Sequence, residues 1–178
     1  MGITGILFNV NGRISKNQFW RGIVVLCTIS IVVSLLGLIV PLLVATLIGV
    51  VSYIVLVWGY IGVYGKRLHD AGFSAWLYLV FFVAYILLGT VTQGFFYGLF
   101  GIDITAQMEE LAPIMLEEGF GAYFAAVAEY QNEWIYPNIV QMVVLNIALG
   151  LIPGFMMGSD PFENVHGEPL QGVADEFE

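Results

Sequence analysis

Basic residues are scarce and stop early. The 178 residues include five Lys and Arg against fourteen Asp and Glu, a formal charge of −9, and no Lys or Arg follows Arg67. Binding to nucleic acid draws on many cations that displace counterions from phosphates, so five exclude it as a partner. Cys27 is the only cysteine, which rules out an internal disulfide. It lies inside an apolar run, where a small apolar filler is the natural reading. Charged residues make up only 11% of the chain, hydrophobic ones 59%, and mean hydropathy is +0.88. A water-soluble domain of this length could not hide so much apolar surface, so lipid is the solvent for most of it.

Four long apolar runs fill the gap that charge leaves: Phe19–Val40, Leu42–Tyr64, Ser74–Leu99 and Ile135–Met157. Each is long enough to cross a hydrocarbon core of about 30 Å, which takes about 20 helical residues. Backbone polar groups in lipid must bond within their own segment, so the runs are expected to be helices. The expected fold is therefore all-α, a single polytopic domain over residues 1–170 with four transmembrane helices. A basic stretch, Arg13–Arg21, precedes the first run in the manner of a signal peptide. That run continues to Val40 without a small-x-small cleavage site, so the N-terminus is expected to stay in the mature protein.

Charge placement sets the expected orientation. Arg13, Lys16 and Arg21 flank the first run, and Lys66 and Arg67 lie between the second and third. The segments around Pro41 and from Gly101 to Trp134 hold no base. By the positive-inside rule both termini and the Lys66–Phe73 loop face the cytoplasm. Phe19, Trp20, Tyr64 and Trp76 are read as aromatic markers of that interface, and Tyr97, Trp134 and Tyr136 as markers of the other. Gly37 and Pro41 break the first two spans into a hairpin. Small residues, among them Gly59 and Gly62, keep one face of the second span narrow for helix packing. Gly150, Gly154 and Gly158 form a doubled G-x-x-x-G at the end of the fourth. Packing within the subunit is the structural reading, a dimer contact the functional one. Pro153 is placed to kink or end that helix.

Residues 101–134 differ in character. Seven acids (Asp103, Glu109, Glu110, Glu117, Glu118, Glu129, Glu133) stand there without a base. Ile104, Met108, Leu111 and Met115 recur at helical spacing, as do Phe120, Phe124 and Val127. Pro113 and the pair Gly119 and Gly121 are expected to divide the stretch into short amphipathic helices in the periplasmic loop. It is either a solvated cap over the bundle or a partner-facing surface led by Phe120, Phe124 and Val127. The tail, residues 171–178, reads as acidic and disordered.

Three polar clusters share the cytoplasmic side in this topology: Asn11–Trp20, Gly65–Trp76 and Gly158–Pro169. Gly-Arg-Ile-Ser before Phe-Trp, then Arg-Leu-His-Asp-x-Gly-x-Ser-x-Trp, then Asn-x-x-Gly after the last span resembles the YhaH-like bacterial inner-membrane proteins (domain of unknown function 805). The resemblance implies a fold and a bacterial inner membrane but no activity, since the family has none assigned. It makes the acidic insert an addition to the compact family pattern. Phe73, Gln18 and His166 depart locally from that pattern.

Physically, the cluster of Arg13, Lys16, Lys66, Arg67, His69, Asp70, Asn164 and Gly167 is either a structural clip or an anionic headgroup site. In the clip, Arg13 meets Asp70 and leaves Arg67 for tail carbonyls or Asp160. Ser74 caps the third helix, and Gly72 permits the turn into it. In the headgroup site the cations hold a phosphate of the inner leaflet. No cofactor is implied: His69, Asp70 and His166 lack recognised metal-ligand spacing, and no nucleophile-elbow or zinc-protease motif accompanies Ser15, Ser74 or His69. Gln93, Gln141 and Asn146 lie within spans and read as helix glue. The expected function is non-enzymatic, an accessory, scaffold or assembly subunit among other membrane-protein subunits and membrane lipids. A small transporter or lipid-headgroup-binding protein is the alternative, with a membrane enzyme at the cytoplasmic interface after it. A polar cavity between the spans is the feature that would favour transport or lipid binding.

Overall fold

A computed structural model describes residues 2–170. The acidic tail at 171–178 lies outside the described residues. Six α-helices follow in chain order: α1 (Ile3–Phe8), α2 (Lys16–Leu36), α3 (Leu42–Asp70), α4 (Tyr78–Gly98), α5 (Ile104–Glu117) and α6 (Phe120–Leu151). A 3₁₀ turn, Ala75–Leu77, leads into α4, and a π-helical turn, Ile152–Met156, ends α6. Among the described residues there is no strand, and four helical segments are long and apolar enough to cross a membrane: Lys16–Leu36, Leu42–Asp70, Ala75–Gly98 and Phe120–Met156. Their outward faces are apolar, with Leu47, Ile54 and Val91 largely exposed. That arrangement suits lipid and would be an aggregation surface in water.

Local chemistry sets the ends of the helices. Ser15 Oγ accepts from Gln18 N–H (3.3 Å), and Gln18 Oε1 accepts from Ser15 N–H (3.0 Å), a capping box that starts α2. Pro41 caps α3, and Ser74 Oγ accepts from Trp76 N–H at the start of the 3₁₀ turn. Gly72 takes φ +79° between α3 and that turn, a left-handed conformation that glycine adopts without strain.

The bundle consists of two helix pairs. α3 packs mainly on α2 and α4 mainly on α6, and α2 also packs on α6. The buried core gathers at the end that carries Asp70, called here the basic end. There Phe19, Ile23 and Leu26 of α2 meet Val63, Tyr64 and Leu68 of α3. Glycines allow the close approaches. A Cβ at Gly59 would overlap Leu26, one at Gly62 the carbonyl of Leu7, and one at Gly154 would sit 2.6 Å from Trp20 Nε1. Gly150 also lies against the Trp20 ring, whereas a Cβ at Gly158 would meet nothing within 4 Å.

Three expectations change. First, Pro113 does not divide the acidic segment; it lies inside α5, and only Gly119 (φ +87°) breaks the chain. Second, Phe120–Glu133 is no separate short helix but the first half of α6, which continues into the fourth apolar run. Pro137 inside α6 removes one backbone bond, and burial of that turn keeps the helix together. Third, Phe19, Tyr64 and Tyr97 turn into the core instead of marking the lipid interface, and of the aromatic markers Trp76 and Tyr136 stay well exposed. Each inward ring meets another, as Phe19 does Tyr64 at 5.2 Å and Tyr97 does Trp134 at 6.5 Å.

At about 1.5 Å per residue, α6 is about 48 Å long, well beyond the roughly 30 Å of a hydrocarbon core. Gln131 Nε2 donates to Gly37 O (2.5 Å), which fixes α6 beside the α2–α3 turn. Residues before Gln131 therefore project past that turn, with α5 folded against them.

Candidate functional site

The last ten residues of α3 bring an unusual amount of charge into the protein interior. Lys66, Arg67 and Asp70 have no exposed surface, and His69 and Arg13 keep 8% and 6%. Arg13, Lys66, Arg67 and Asp70 stay charged in that setting only if partners replace water.

Asp70 supplies the only carboxylate in an ion pair among the described residues. Its Oδ1 accepts from Arg13 Nε at 3.2 Å, and its Oδ2 accepts from Arg67 Nη1 and from Ser159 Oγ, the latter at 2.6 Å. One acid thus sits between two guanidiniums. The remaining donors go to main-chain carbonyls. Arg67 donates through Nε to Pro153 O (2.7 Å) and through Nη2 to Met157 O (2.5 Å). Arg13 donates to Phe162 O (3.0 Å), Asp70 O (3.3 Å) and Asp160 O. Lys66 Nζ donates to Gly5 O (2.5 Å) and Ile6 O (2.7 Å).

A common logic governs these contacts. The last carbonyls of a helix lack intrahelical donors and carry partial negative charge, which a nearby cation offsets. Lys66 serves the end of α1 and Arg67 the π-helical turn after α6. Arg13 serves the end of α3 and the tail. Lys16 Nζ also reaches Phe155 O (3.3 Å), at the exposed rim.

The tail closes over this cluster. Asp160 N–H donates to Asp70 O (2.7 Å), and Asn164 Nδ2 donates to Asp160 Oδ2 (2.9 Å) and His69 O (3.3 Å). Asn164 and Gly167 exchange two backbone bonds, with Gly167 at φ +128°. His166 stacks on His69, ring centroids 3.6 Å apart and planes within 6°, while His69 Nδ1 lies 3.2 Å from Gly12 O. Hydrogen bonds from Asn164 and the Phe162 N–H, with the Arg13 charge nearby, hold the Asp160 carboxyl below the usual carboxylate range.

The structure thus brings Arg13, Lys66, Arg67, His69, Asp70, Asn164 and Gly167 together at one end, with Lys16 at the edge. Phe120, Phe124 and Val127 stand at the far end of the molecule on the projecting part of α6, where Phe120 stacks on Phe124. Two participants escaped the sequence reading. α1 docks through Ile6 and Leu7, both buried, and supplies the carbonyls for Lys66. Its signal was the Ile3, Ile6, Leu7 spacing, legible as one helical face. Ser159, the third donor to Asp70, had none beyond its place after the last span.

A family profile described as Protein of unknown function (DUF805) matches residues 7–167. The chain belongs to the DUF805 family. The match begins at Leu7 in α1 and ends at Gly167, so it takes in all four spans and every residue of the cluster. DUF805 carries no assigned activity, and no curated protein and no solved structure matches the chain.

Chemically, the cluster has little left to offer a substrate. Its cations are engaged by Asp70 and carbonyls, Ser15 and Ser74 cap helices, and His69 is stacked and paired. Among the described residues no three His, Cys, Asp or Glu lie close enough to share a metal ion.

Proposed function

We propose that this DUF805 protein is a non-enzymatic accessory subunit, a membrane scaffold that presents the α5–α6 hairpin to a partner protein. The observation behind this reading is the hairpin itself. Trp134 Nε1 donates to Gln107 Oε1 (2.7 Å), Tyr130 OH donates to Glu110 Oε2 (2.7 Å), and Gln107 Nε2 donates to Glu133 Oε2 (3.1 Å), so the two helices hold a fixed geometry. Leu111 of α5 is buried. The outer faces remain uncovered: Leu116 is 85% and Phe120 66% exposed.

Charge favours a partner over a simple cap. None of the seven acids of the hairpin region meets a base, and the ion pairs of the described residues all lie at the opposite end. Unneutralised carboxylates around exposed apolar side chains complement a surface with an apolar centre and a basic rim. The resemblance to bacterial inner-membrane proteins supplies the membrane for this reading, and the positive-inside rule then places the hairpin in the periplasm and both termini in the cytoplasm. The basic end then acts as a clip that ties α1, α3, α6 and the tail into one rigid base. A headgroup site is the weaker reading of that cluster, because its buried cations already have partners.

The test replaces residues 104–130 with a short Gly-Ser linker, which spares Gln131 and its bond to Gly37. Purified in mild detergent, the variant should remain a folded bundle and lose the protein that co-purifies with the wild type. Association that survives the replacement unchanged would refute the proposal.

A further inference from the structure

Between the α2–α3 pair and the α4–α6 pair lies a cavity of about 580 Å³, within the range of roughly 300–1,000 Å³ that small-molecule sites occupy. It follows α3 from Gly49 to Tyr64 and α4 from Tyr78 to Gln93. At about 1.5 Å per residue it extends about 22 Å along the helix axes, an elongated space suited to a chain. Tyr64 and Tyr78 stand at its basic end, Gln93 and Gln141 at the other, and Leu56, Phe82 and Ile86 between them.

Two features of the lining define an occupant. The first is charge: none of the lining residues is Lys, Arg, His, Asp or Glu. An ionised headgroup would find no counter-charge there, and an unpaired charge at membrane depth is costly. The second is unspent hydrogen-bonding capacity. Among the described residues the hydroxyls of Tyr64, Tyr78 and Tyr85 have no protein partner, although they are not sealed atoms. The Tyr60 hydroxyl meets only Cys27 Sγ, at 3.9 Å. Gln141 spends its amide N–H groups on Gly89 O (2.7 Å) and Thr92 Oγ1 (3.0 Å), which leaves its oxygen to accept. Hydrocarbon satisfies none of these groups, whereas a molecule with its own hydroxyl or carbonyl does.

We infer that this cavity is a binding site for a neutral lipid-soluble molecule, a small hydroxyl-bearing head on an apolar chain. The phenols at the basic end both donate to and accept from the head, and the apolar middle takes the chain. Phosphate-bearing lipids are excluded from the interior by charge and cover only the outer faces of the spans.

The test reconstitutes the full chain in phosphatidylcholine nanodiscs with a diacylglycerol that carries a photoreactive diazirine on one acyl chain. A phosphatidylglycerol with the same acyl chain is the comparator. The expected result is labelling of cavity-lining residues of α3 and α4 by the diacylglycerol, displaced by unlabelled diacylglycerol. The phosphatidylglycerol should label outward faces alone. Gly49→Phe fills the cavity from a position where a Cβ meets no atom within 4 Å, so the bundle is expected to fold. It should cut the lining label at least tenfold. Tyr64→Phe combined with Tyr78→Phe keeps the rings, removes the hydroxyls and should weaken displacement severalfold. Equal labelling of the lining by both probes would mean that ordinary acyl chains fill the space and would overturn the inference. So would an unchanged label in Gly49→Phe, or no label on the lining.

Discussion

Replacing Asp70 with Ala removes one side chain and leaves two buried guanidiniums facing each other. Arg13 loses its Nε acceptor at 3.2 Å, Arg67 loses its Nη1 acceptor, and Ser159 Oγ loses a bond of 2.6 Å. The carbonyl bonds of Arg13 and Arg67 survive, so neither cation is wholly stranded. Breaking a buried ion pair from one side costs about 3–5 kcal/mol, against under about 1 for an exposed pair. The full burial of Asp70 and Arg67 selects the larger figure. For a chain of this size about 4 kcal/mol lowers Tm by roughly 10 °C. Thermal unfolding in detergent, followed by tryptophan fluorescence, gives the shift directly. Arg21→Ala, at an exposed position, serves as the control and should move stability by less than about 0.5 kcal/mol. An Asp70→Ala protein that melts within about 1 °C of wild type would refute the reasoning and free the cluster for ligand binding.

Other contacts predict separable outcomes. Lys66→Met leaves the carbonyls of Gly5 and Ile6 without a donor, so hydrogen exchange over residues 3–8 should speed up while the spans stay protected. Gly154→Ala forces a Cβ against Trp20 and should cost about 1–3 kcal/mol in detergent melts, whereas Gly158→Ala, where a Cβ meets nothing, should be near neutral. The tail clasp should depend on pH. Because the folded-state pKa of Asp160 is depressed, its contribution is complete above the ordinary carboxylate value of about 4 and is lost as pH falls through the lower folded value. Limited proteolysis of the 158–170 segment should therefore accelerate in acid, and Asp160→Asn should flatten that response.

The membrane fold was legible because its signal is one of quantity. Runs of apolar residues far longer than a soluble core needs leave helices in lipid as the physical option, and turn residues such as Gly37 and Pro41 mark where one pair reverses. The ends were harder. Periodicity saw Phe120–Val127 as amphipathic but could not tell a free helix from the first half of a longer one: Gly121 read as a breaker, yet α6 contains it, and no Gly or Pro follows before the span. Pro113 read as a breaker, yet α5 contains it at the cost of one backbone bond. The convergence of Arg13 with Asp70 could be anticipated, because charges at an interface need partners and few were available. The roles of Lys66 and α1 could not, since they depend on which carbonyls the fold leaves unpaired. The cavity was equally illegible: Gln93, Gln141 and Asn146 read as helix glue, and only the packing of the two helix pairs shows the space beside them.

The most direct measurement of the central claim is photocrosslinking in living cells. A photoreactive amino acid would replace Phe120 at the tip of the hairpin and, in a second strain, Glu163 in the tail at the basic end. A third strain would carry the Gly-Ser linker in place of residues 104–130 and the photoreactive amino acid at the exposed position 132, which leaves Gln131 in place. A partner-facing hairpin gives one discrete protein adduct from position 120, no such adduct in the linker strain, and none from position 163. Only lipid adducts from position 120, or the same protein captured from both ends, would contradict it.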